Sequence, residues 1–287
     1  GLNANGQVFV LNPNGVLFGD HAQVSVGGLV ASTLSLLNDD FQSGQYHFTG
    51  KSLASVVNKG TLTATNGGYI ALLGADVSNE GGIAAQLGRV DLAAGESVRL
   101  QIDNGSLASL LIDKGTMNAL VVNHGLIKSD GGQIYLTAEG ADSLAKAMIN
   151  NDGIIEAQTI QNIEGKIVLL ADMTVGEVNV DGKIDASAPQ VGNGGSIETS
   201  GALVKINSKA IITASASQGK SGNWLIDPMD LTIDSAAASV INTTLNNGTN
   251  VTEQTSFISS SGSGTQTAGR GDINITSALN WNTSAAL

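Results

Sequence analysis

Short runs of alternating apolar and polar residues recur along the whole chain and are separated by clusters of Gly, Asn and Asp. In a run such as Ile134-Tyr135-Leu136, every second side chain lies on the same face, which is the period of a β-strand. Gly, Asn and Asp between the runs favour turns, where we expect the backbone to adopt positive φ. The pattern therefore predicts many short strands joined by tight turns.

The strands and turns form a repeat in which an asparagine precedes a glycine by two residues. The anchoring residues are Asn58, Asn79, Asn123 and Asn151, with a weaker copy at Asp181. The spacings between the four asparagines are 21, 44 and 28 residues. We interpret the spacing of 44 as two units of 22, with Val98, Leu100 and Ile102 in the middle unit.

A unit of this size matches one coil of a β-helix. No coil can bury its apolar side alone, so neighbouring coils must stack to be stable. With ~4.8 Å between coils, roughly a dozen coils would make a rod about 55–60 Å long. We therefore predict an all-β fold, a right-handed single-stranded parallel β-helix.

Two local features leave alternatives open. The repeated asparagines either form an internal ladder, with amides bonded to turn backbone in adjacent coils, or are present because asparagine tolerates left-handed turns. The segment Asp142–Met148 has helix formers and an N-cap residue, and it fits either one helical turn or a strand in register.

Residues 215–222 and 256–271 are rich in Ser, Gly and Thr and are predicted loops. Strands resume at Leu231–Ile233 and Ile273–Thr276.

The composition supports a thin, layered core and limits the kinds of partner that the chain can bind. Aromatic residues make up only 3% of the chain, whereas 41% is apolar, mostly Ala, Val, Ile and Leu. The net charge of -12, with Lys and Arg scattered singly, argues against binding to nucleic acid or anionic membranes. The absence of Cys excludes disulfides and thiolate metal sites. Residues 1–6 lack signal-peptide features, so we expect a mature or trimmed piece of a longer protein.

The densest set of motifs lies in the first fifty residues. It comprises Asn12–Gly19, Ala22–Leu34, Asp40-Phe41, Gly44, Phe48 and Gly50, and two later motifs, Asn118–Gly125 and Gly222–Pro228, extend it. Together these motifs resemble the two-partner secretion domain of filamentous haemagglutinin-like exoproteins. The resemblance implies recognition by a dedicated outer-membrane β-barrel transporter, export of the unfolded chain and winding into a β-helix outside the cell. It also implies that the family's first strands, cap and upstream Asn-Pro motif precede Gly1.

The resemblance divides the chain into three parts. Residues 1–50 are predicted to be the C-terminal portion of the secretion domain, and residues 51–222 the β-helix repeats. Residues 223–287 are predicted to continue the coils with Ser-, Gly- and Thr-rich loops.

The turn Asn12-Pro13-Asn14-Gly15 is the candidate secretion motif. Pro13 fixes φ, and the flanking asparagines can bond to their own backbone, so the turn is expected to be stiff and tight. Two roles stay open: a structural turn that nucleates the first coil, and a display of groups to the transporter.

The search for catalytic and metal-binding groups finds little. His21, His47 and His124 lie on separate segments without ligand spacing, which favours surface or turn positions. Asp39-Asp40 could suggest calcium or an acid pair, but an ordinary turn is the better interpretation. No Gly-rich run opens a helix, and no serine nucleophile elbow is present. We therefore expect no enzymatic activity, no cofactor and no metal.

A tripeptide near the C-terminus gives a candidate receptor site. Arg270-Gly271-Asp272 is the integrin-binding tripeptide and lies in a Gly/Ser/Thr-rich stretch. The alternative is that Gly271-Asp272-Ile273 is a structural start of a strand and Arg270 is incidental. Sequons at Asn242, Asn247, Asn250, Asn274 and Asn282 could be glycosylated, or simply line solvent-facing strands.

These features predict a secreted or cell-surface adhesin associated with the outer membrane. Its rod would present distal regions to a host receptor, a glycan, other bacteria or matrix polysaccharide. The alternatives are a delivery stalk for a contact-dependent inhibition toxin, a haem- or nutrient-scavenging exoprotein, and a polysaccharide lyase. The scarcity of Lys and Arg disfavours the lyase, whose cleft needs basic and acidic residues on successive coils.

Overall fold

The computed structural model describes residues 1–160, 162–255 and 271–287. Within them the chain forms short strands, and most strands pair in parallel with a strand one coil before or after. This arrangement is a parallel β-helix and confirms the predicted fold class.

The strands of the first part of the chain flank one short helix, α1 (Asn38–Gln42). They are β1 (Leu2–Asn3), β2 (Gln7–Leu11), β3 (Val16–Phe18), β4 (Gln23–Ser32), β5 (Ser35–Leu36), β6 (Tyr46–Thr49), β7 (Ser55–Asn58), β8 (Thr61–Gly74), β9 (Asp76–Asn79), β10 (Gly82–Ala84), β11 (Arg89–Ala94), β12 (Ser97–Asp103), β13 (Ser106–Lys114) and β14 (Asn118–Asn123).

The second part contains a longer helix, α2 (Ser235–Asn246), between β26 and β27. The strands are β15 (Leu126–Lys128), β16 (Gln133–Ala138), β17 (Lys146–Asn151), β18 (Ile154–Glu156), β19 (Lys166–Ala171), β20 (Gly176–Val180), β21 (Lys183–Asp185), β22 (Ser196–Gly201), β23 (Leu203–Ile206), β24 (Ile211–Thr213), β25 (Asn223–Pro228), β26 (Leu231–Ile233), β27 (Asn250–Glu253) and β28 (Ile273–Ile275).

The strands stack into three rows, one for each side of the coil. Row 1 runs β1-β4-β8-β10-β15-β18-β21-β24, row 2 runs β2-β4-β8-β11-β16-β19-β22-β25-β27, and row 3 runs β3-β7-β9-β14-β17-β20-β23. The long strands β4 and β8 turn a corner and belong to two rows. Among the described residues the longest row has nine strands, roughly 40 Å of stack at ~4.8 Å per rung. The rod is therefore shorter than the predicted dozen coils, because part of the chain leaves the helix.

Like residues stack on like residues inside the coils. One interior column of row 1 consists of Leu62, Ile83, Ile127, Ile155, Ile184 and Ile212, each at most 2% exposed. Each coil contributes one thin layer of branched aliphatic side chains to the core, so few aromatic rings are needed to fill it. The composition thus gave a correct indication of a layered core.

The prediction that Val98, Leu100 and Ile102 form a rung of their own is wrong. They lie in β12, which pairs antiparallel with β13 in a hairpin outside the helix. Asn79 stacks directly on Asn123, so the spacing of 44 is one coil that carries this inserted hairpin. Strands β5, β6, β12 and β13 form a four-stranded antiparallel sheet, which we call the extra-helical sheet.

The extra-helical sheet packs on the outer face of row 2 and buries a second apolar core. This core includes Phe48, Tyr69 and Leu107, each at most 5% exposed. Tyr69 lies flat on Gly28, where a Cβ atom would come within 2.5 Å of the ring. The close approach explains why a glycine interrupts the apolar run of β4 at this point.

Helix α2 was not predicted. Asp234 caps it by accepting hydrogen bonds from the backbone N–H groups of Ala236 and Ala237. The helix buries one face in the main core and takes the place that a strand would occupy above β24, where the Thr244 hydroxyl bonds to the Ile212 carbonyl. The following chain is bonded to α2 through Asn242, whose carboxamide bonds to the backbone of residues 278 and 280.

The remaining local predictions have mixed outcomes. Residues 141–144 form a turn and strand β17 follows, so the strand alternative holds for the end of Asp142–Met148. Residues 215–222 form a loop, and strands resume at β26 and β28, as predicted. Residues 256–270 of the predicted loop 256–271 lie outside the described residues. Asp39 and Asp40 lie in helix α1 rather than in a simple turn.

Candidate functional site

The turn Asn12-Pro13-Asn14-Gly15 connects β2 to β3 in the first described coil. The Asn12 side-chain oxygen accepts from the Asn14 N–H at 3.1 Å, and the Asn12 carbonyl accepts from the Gly15 N–H at 3.1 Å. Gly15 has φ +115°, a conformation that other residues rarely adopt. The turn is thus stiff for the predicted reasons, with Gly15 as the residue that lets the chain enter β3.

The two asparagines of this turn are not equivalent. Asn12, Pro13 and Asn14 are all exposed. The Asn12 side chain closes the turn, whereas the Asn14 carboxamide makes no hydrogen bond among the described residues. The Ser52 hydroxyl donates to the Pro13 carbonyl at 2.5 Å and fastens the turn to the next coil. Asn12 therefore has a structural role, while Asn14 is free to contact a partner.

The repeated asparagines form a ladder inside the rod. The Nδ2 atoms of Asn58, Asn79 and Asn123 each donate at 2.8 Å to the Oδ1 of the asparagine in the next coil, and the ladder ends at Asn151. All four side chains are at most 1% exposed. None has positive φ, so the ladder hypothesis is confirmed and the left-handed alternative is wrong. The amides bond mainly to one another rather than to turn backbone.

The glycines that follow the ladder stack in a second column, formed by Gly60, Gly81, Gly125, Gly153 and Gly182. None of them has positive φ, contrary to our expectation for these turns. A Cβ atom on Gly125 would lie 2.1 Å from the Gly81 carbonyl oxygen. Glycine is needed here because the backbones of adjacent coils touch. Positive φ does occur at the corner between row 1 and row 2, at Gly67 and Gly131.

A pair of buried carboxyl groups lies at a further corner of the rod. Glu139 and Asp172 occupy matching positions of adjacent coils, since Ala138 pairs with Ala171, and they are 9% and 7% exposed. Burial, followed by the nearby Asp172 charge, raises the pKa of Glu139 to about 8. Asp172 accepts hydrogen bonds from the N–H groups of Gly140 and Thr174.

This pKa makes stability depend on pH. The folded chain keeps the Glu139 proton between about pH 4.5 and 8, where the unfolded chain has lost it, so stability falls as pH rises across this window. Between about pH 4.5 and 8 we expect the Glu139→Gln variant to lose about 2 kcal/mol less free energy of unfolding than the original protein. Near pH 4 the substitution should leave the stability unchanged. Urea unfolding of both proteins from pH 4 to 9 measures the difference. Parallel curves at all pH values would contradict the assignment.

The remaining candidate residues are dispersed. His47 contacts Ser97 and His124 contacts Asp152, on separate segments, and His21 is exposed. Within residues 1–160, 162–255 and 271–287 no cluster of three or more His, Asp or Glu side chains could hold a metal ion. Neither described helix has the length and apolarity needed to cross a bilayer.

The candidate receptor tripeptide is only partly visible, because Arg270 lies outside the described residues. Gly271 and Asp272 come directly before β28, where the Asp272 carbonyl accepts from the Leu231 N–H at 2.9 Å. This position is the one that the structural alternative predicts. The receptor-binding hypothesis stays a prediction.

The fold and the turn together define a β-helical domain, and comparisons with known proteins identify its family. The model of the TPS (two-partner secretion) secretion domain matches residues 1–186. The chain belongs to this family, and it is a domain of a two-partner secretion exoprotein. Membership implies a cognate outer-membrane transporter and secretion through the outer membrane.

Two curated relatives and one solved structure are similar to the chain. Two heme/hemopexin-binding proteins of Haemophilus influenzae are 32% identical over 194 residues and 26% identical over 211 residues. Each alignment covers 64% of this chain, which spans 20% and 22% of those relatives. The crystal structure of the HMW1 secretion domain from Haemophilus influenzae matches with a TM-score of 0.66 at 22% identity, covering 98% of this chain and 78% of that one. The structural match shows the fold.

The family model extends past residue 50, where we placed the end of the secretion domain. The main core also includes residues on both sides of this position, such as Val26 and Leu62. The divisions at residues 50 and 222 stay predictions.

Proposed function

We propose that the exposed turn Asn12–Gly15 is a contact point for the outer-membrane transporter, within a domain that directs export of a longer, non-catalytic exoprotein. The free Asn14 carboxamide supports this proposal, because a group that stabilises nothing in the fold is available to a partner. The same turn leads into β3, the first strand of row 3. Recognition and the start of coil winding would thus share one segment.

Single substitutions at the two asparagines separate recognition from folding. We expect Asn14→Ala to reduce export of the full-length protein about tenfold while leaving the unfolding midpoint of the domain unchanged, because it removes no bond of the fold. Asn12→Ala should lower the stability by about 1 kcal/mol, since it removes the side-chain bond that closes the turn. The measurements are the amount of exoprotein in the medium and the urea midpoint of the purified chain.

The comparison of the two variants decides between the open roles of the turn. If Asn14→Ala is exported normally, the turn is structural only. If export falls only in proportion to stability across both variants, the recognition role is likewise discarded. Gln190→Ala, at an exposed glutamine in a distant loop, is the matched control.

For the exoprotein as a whole, binding of haem or hemopexin is a candidate function. The specific observation is that both curated relatives are named as heme/hemopexin-binding proteins. The predicted attachment to host cells, other bacteria or biofilm matrix remains the other candidate. Retention of the protein at the cell surface is compatible with both functions. Titration of the secreted full-length protein with haem and with hemopexin separates them. Absence of binding to either would leave attachment as the function to pursue.

A further inference from the structure

The third row of the rod is interrupted between β23 and β26. These strands belong to successive coils of row 3, because β23 follows β22 along the chain, β26 follows β25, and β25 is stacked directly on β22. Strand β26 nevertheless pairs with β28 and not with β23. An open groove of about 660 Å³ lies between β23 and β26 and is lined by residues of both. Within the part of the chain that the structure describes, row 3 therefore lacks a rung here.

Helix α2 accounts for the missing rung. It follows β26 and lies above β24, where the coils below have a strand. A helix with its side chains is about 10 Å across, roughly twice the ~4.8 Å between rungs. Because β26 leads directly into α2, it is raised with the helix by about one rung. The separation begins at Met229, whose N–H reaches the Ala202 carbonyl only at 3.4 Å.

The lower wall of the groove, β23, presents backbone groups without partners. Neighbouring residues of a strand direct their N–H and C=O groups to opposite sides. Just after β23, the Asn207 N–H bonds to the Val180 carbonyl of the coil below. The backbone groups of Ile206 and Val204 therefore point the other way, into the groove. They meet no hydrogen-bond partner there among the described residues.

The upper wall, β26, is open in the same way. The Leu231 N–H bonds upward to the Asp272 carbonyl, next to β28. The backbone groups of Thr232 therefore point downward into the groove, where the described chain offers them no partner. An added strand would find free donors and acceptors on both sides, which is the basis of peptide binding by strand addition.

The inner side of the groove is apolar. Val204 and Ile206 belong to the main core, but each is 8% exposed. Their neighbours in the coil below, Val178 and Val180, are at most 1% exposed. The core is thus uncovered where the rung is missing. An occupant that completes row 3 must place apolar side chains two positions apart over Val204 and Ile206.

The outer side of the groove has an excess of negative charge. Asp181, Asp230 and Asp234 line it, and Lys205 is the cation among its described residues. Lys205 is already paired with Glu177 at 2.9 Å. A basic side chain between the two apolar residues of an occupant would point outward and reduce this excess.

We propose that the groove accepts an extended peptide segment of another polypeptide, in which a basic residue separates two apolar ones. At the spacings of a sheet one extended residue occupies roughly 160 Å³, so about four residues fill the groove. The segment would bond to both walls, cover the exposed core and complete row 3. Strand β23 has this pattern in the equivalent position one coil below, so its sequence is a suitable probe.

Binding is tested by fluorescence anisotropy with the purified full chain and labelled peptides with blocked ends. The probe is ALVKIN, which copies residues 202–207. In the control ALNKIN a polar residue lies over the core, and in ALVEIN an acid replaces the basic residue. We expect ALVKIN to bind about tenfold more tightly than either control, because ALNKIN buries a polar group and ALVEIN is repelled by the carboxylates.

A charge exchange on the protein locates the binding site. The Thr232 side chain is exposed and points outward beside the groove. We expect Thr232→Lys to weaken ALVKIN about threefold and to strengthen ALVEIN about threefold, since it faces the variable residue of the peptide on a neighbouring strand. Thr61→Lys, at an exposed position of β8, is the matched control and should change neither affinity. The urea midpoint of each variant shows that the chain is folded.

Hydrogen–deuterium exchange with ALVKIN bound should show protection of β23 and β26. Three results would overturn the proposal: no binding of ALVKIN at millimolar concentration, equal affinity for the three peptides, and protection confined to other strands such as β13 or β28. Equal responses to Thr232→Lys and Thr61→Lys have the same meaning. All of these measurements use the purified chain, so they are independent of the export assay for Asn14.

Discussion

Gly81→Ala is expected to destabilise the rod by about 3 kcal/mol or more. The added Cβ atom would lie 2.1 Å from the Gly60 carbonyl oxygen and 2.6 Å from the Lys59 carbonyl carbon, both backbone atoms that cannot move aside without opening the stack. The Gly81 carbonyl also accepts from the Leu126 N–H at 2.9 Å, so the disturbance reaches the next coil. The urea unfolding midpoint and the free energy of unfolding measure the effect.

The neighbouring residue is a matched control for this prediction. A Cβ atom on Gly82 would meet no atom within 4 Å, and Gly82 does not have positive φ. We expect Gly82→Ala to be neutral or to stabilise by about 0.5 kcal/mol, because alanine restricts the unfolded chain. Equal losses from the two substitutions would show that close coil packing is not what requires Gly81.

Asn123→Ala is expected to cost about 3 kcal/mol, the second large effect. Asn123 accepts from Asn79 and donates to Asn151, so its removal leaves the Asn151 side-chain oxygen buried without a partner. The Asn79 amide keeps only two longer bonds, at 3.3 Å to the Gly81 carbonyl and at 3.5 Å to the Leu126 carbonyl. Unsatisfied buried polar groups cost about 1–3 kcal/mol each. Both ends of the break lie at most 1% exposed, so water cannot replace the lost bonds.

Asn179→Ala provides the control for the ladder. Asn179 donates to Asn150 at 2.8 Å, in the same geometry between adjacent coils, but the pair is only half-buried on the outer face. Its loss should cost less than about 1 kcal/mol, because water can take over the bond. A loss as small as this for Asn123→Ala would mean that the internal ladder contributes little to stability.

Several coils could be located from particular residues, although the spacing of 44 was counted as two coils and is one. Asn58, Asn79, Asn123 and Asn151 mark successive coils, because a ladder of amides needs the same residue at the same place in each rung. The resemblance of residues 1–50 to the two-partner secretion family was also sound, and the family model matches residues 1–186. The turn Asn12–Gly15 was located correctly, but the different roles of its two asparagines were not visible.

Two elements could not be predicted from the same patterns. The alternation of Val98, Leu100 and Ile102 shows that every second side chain is buried, but not whether the partner strand lies above, below or outside the coil. Helix α2 has a sequence rich in Ser, Thr and β-branched residues, which favours strands as much as helices. Its Asp234 cap and its place above β24 decide the outcome, since the helix buries Val240, Ile241 and Leu245 there.

The sequence by itself determined the repeat, the turn residues and the aliphatic character of the core, because each depends on neighbours along the chain or on the same position one coil away. Only the tertiary structure decided which strands leave the rod and why the stacked glycines must be glycine. Those features depend on residues far apart in sequence, such as Gly44 and Asp103, that meet only after the extra-helical sheet has assembled.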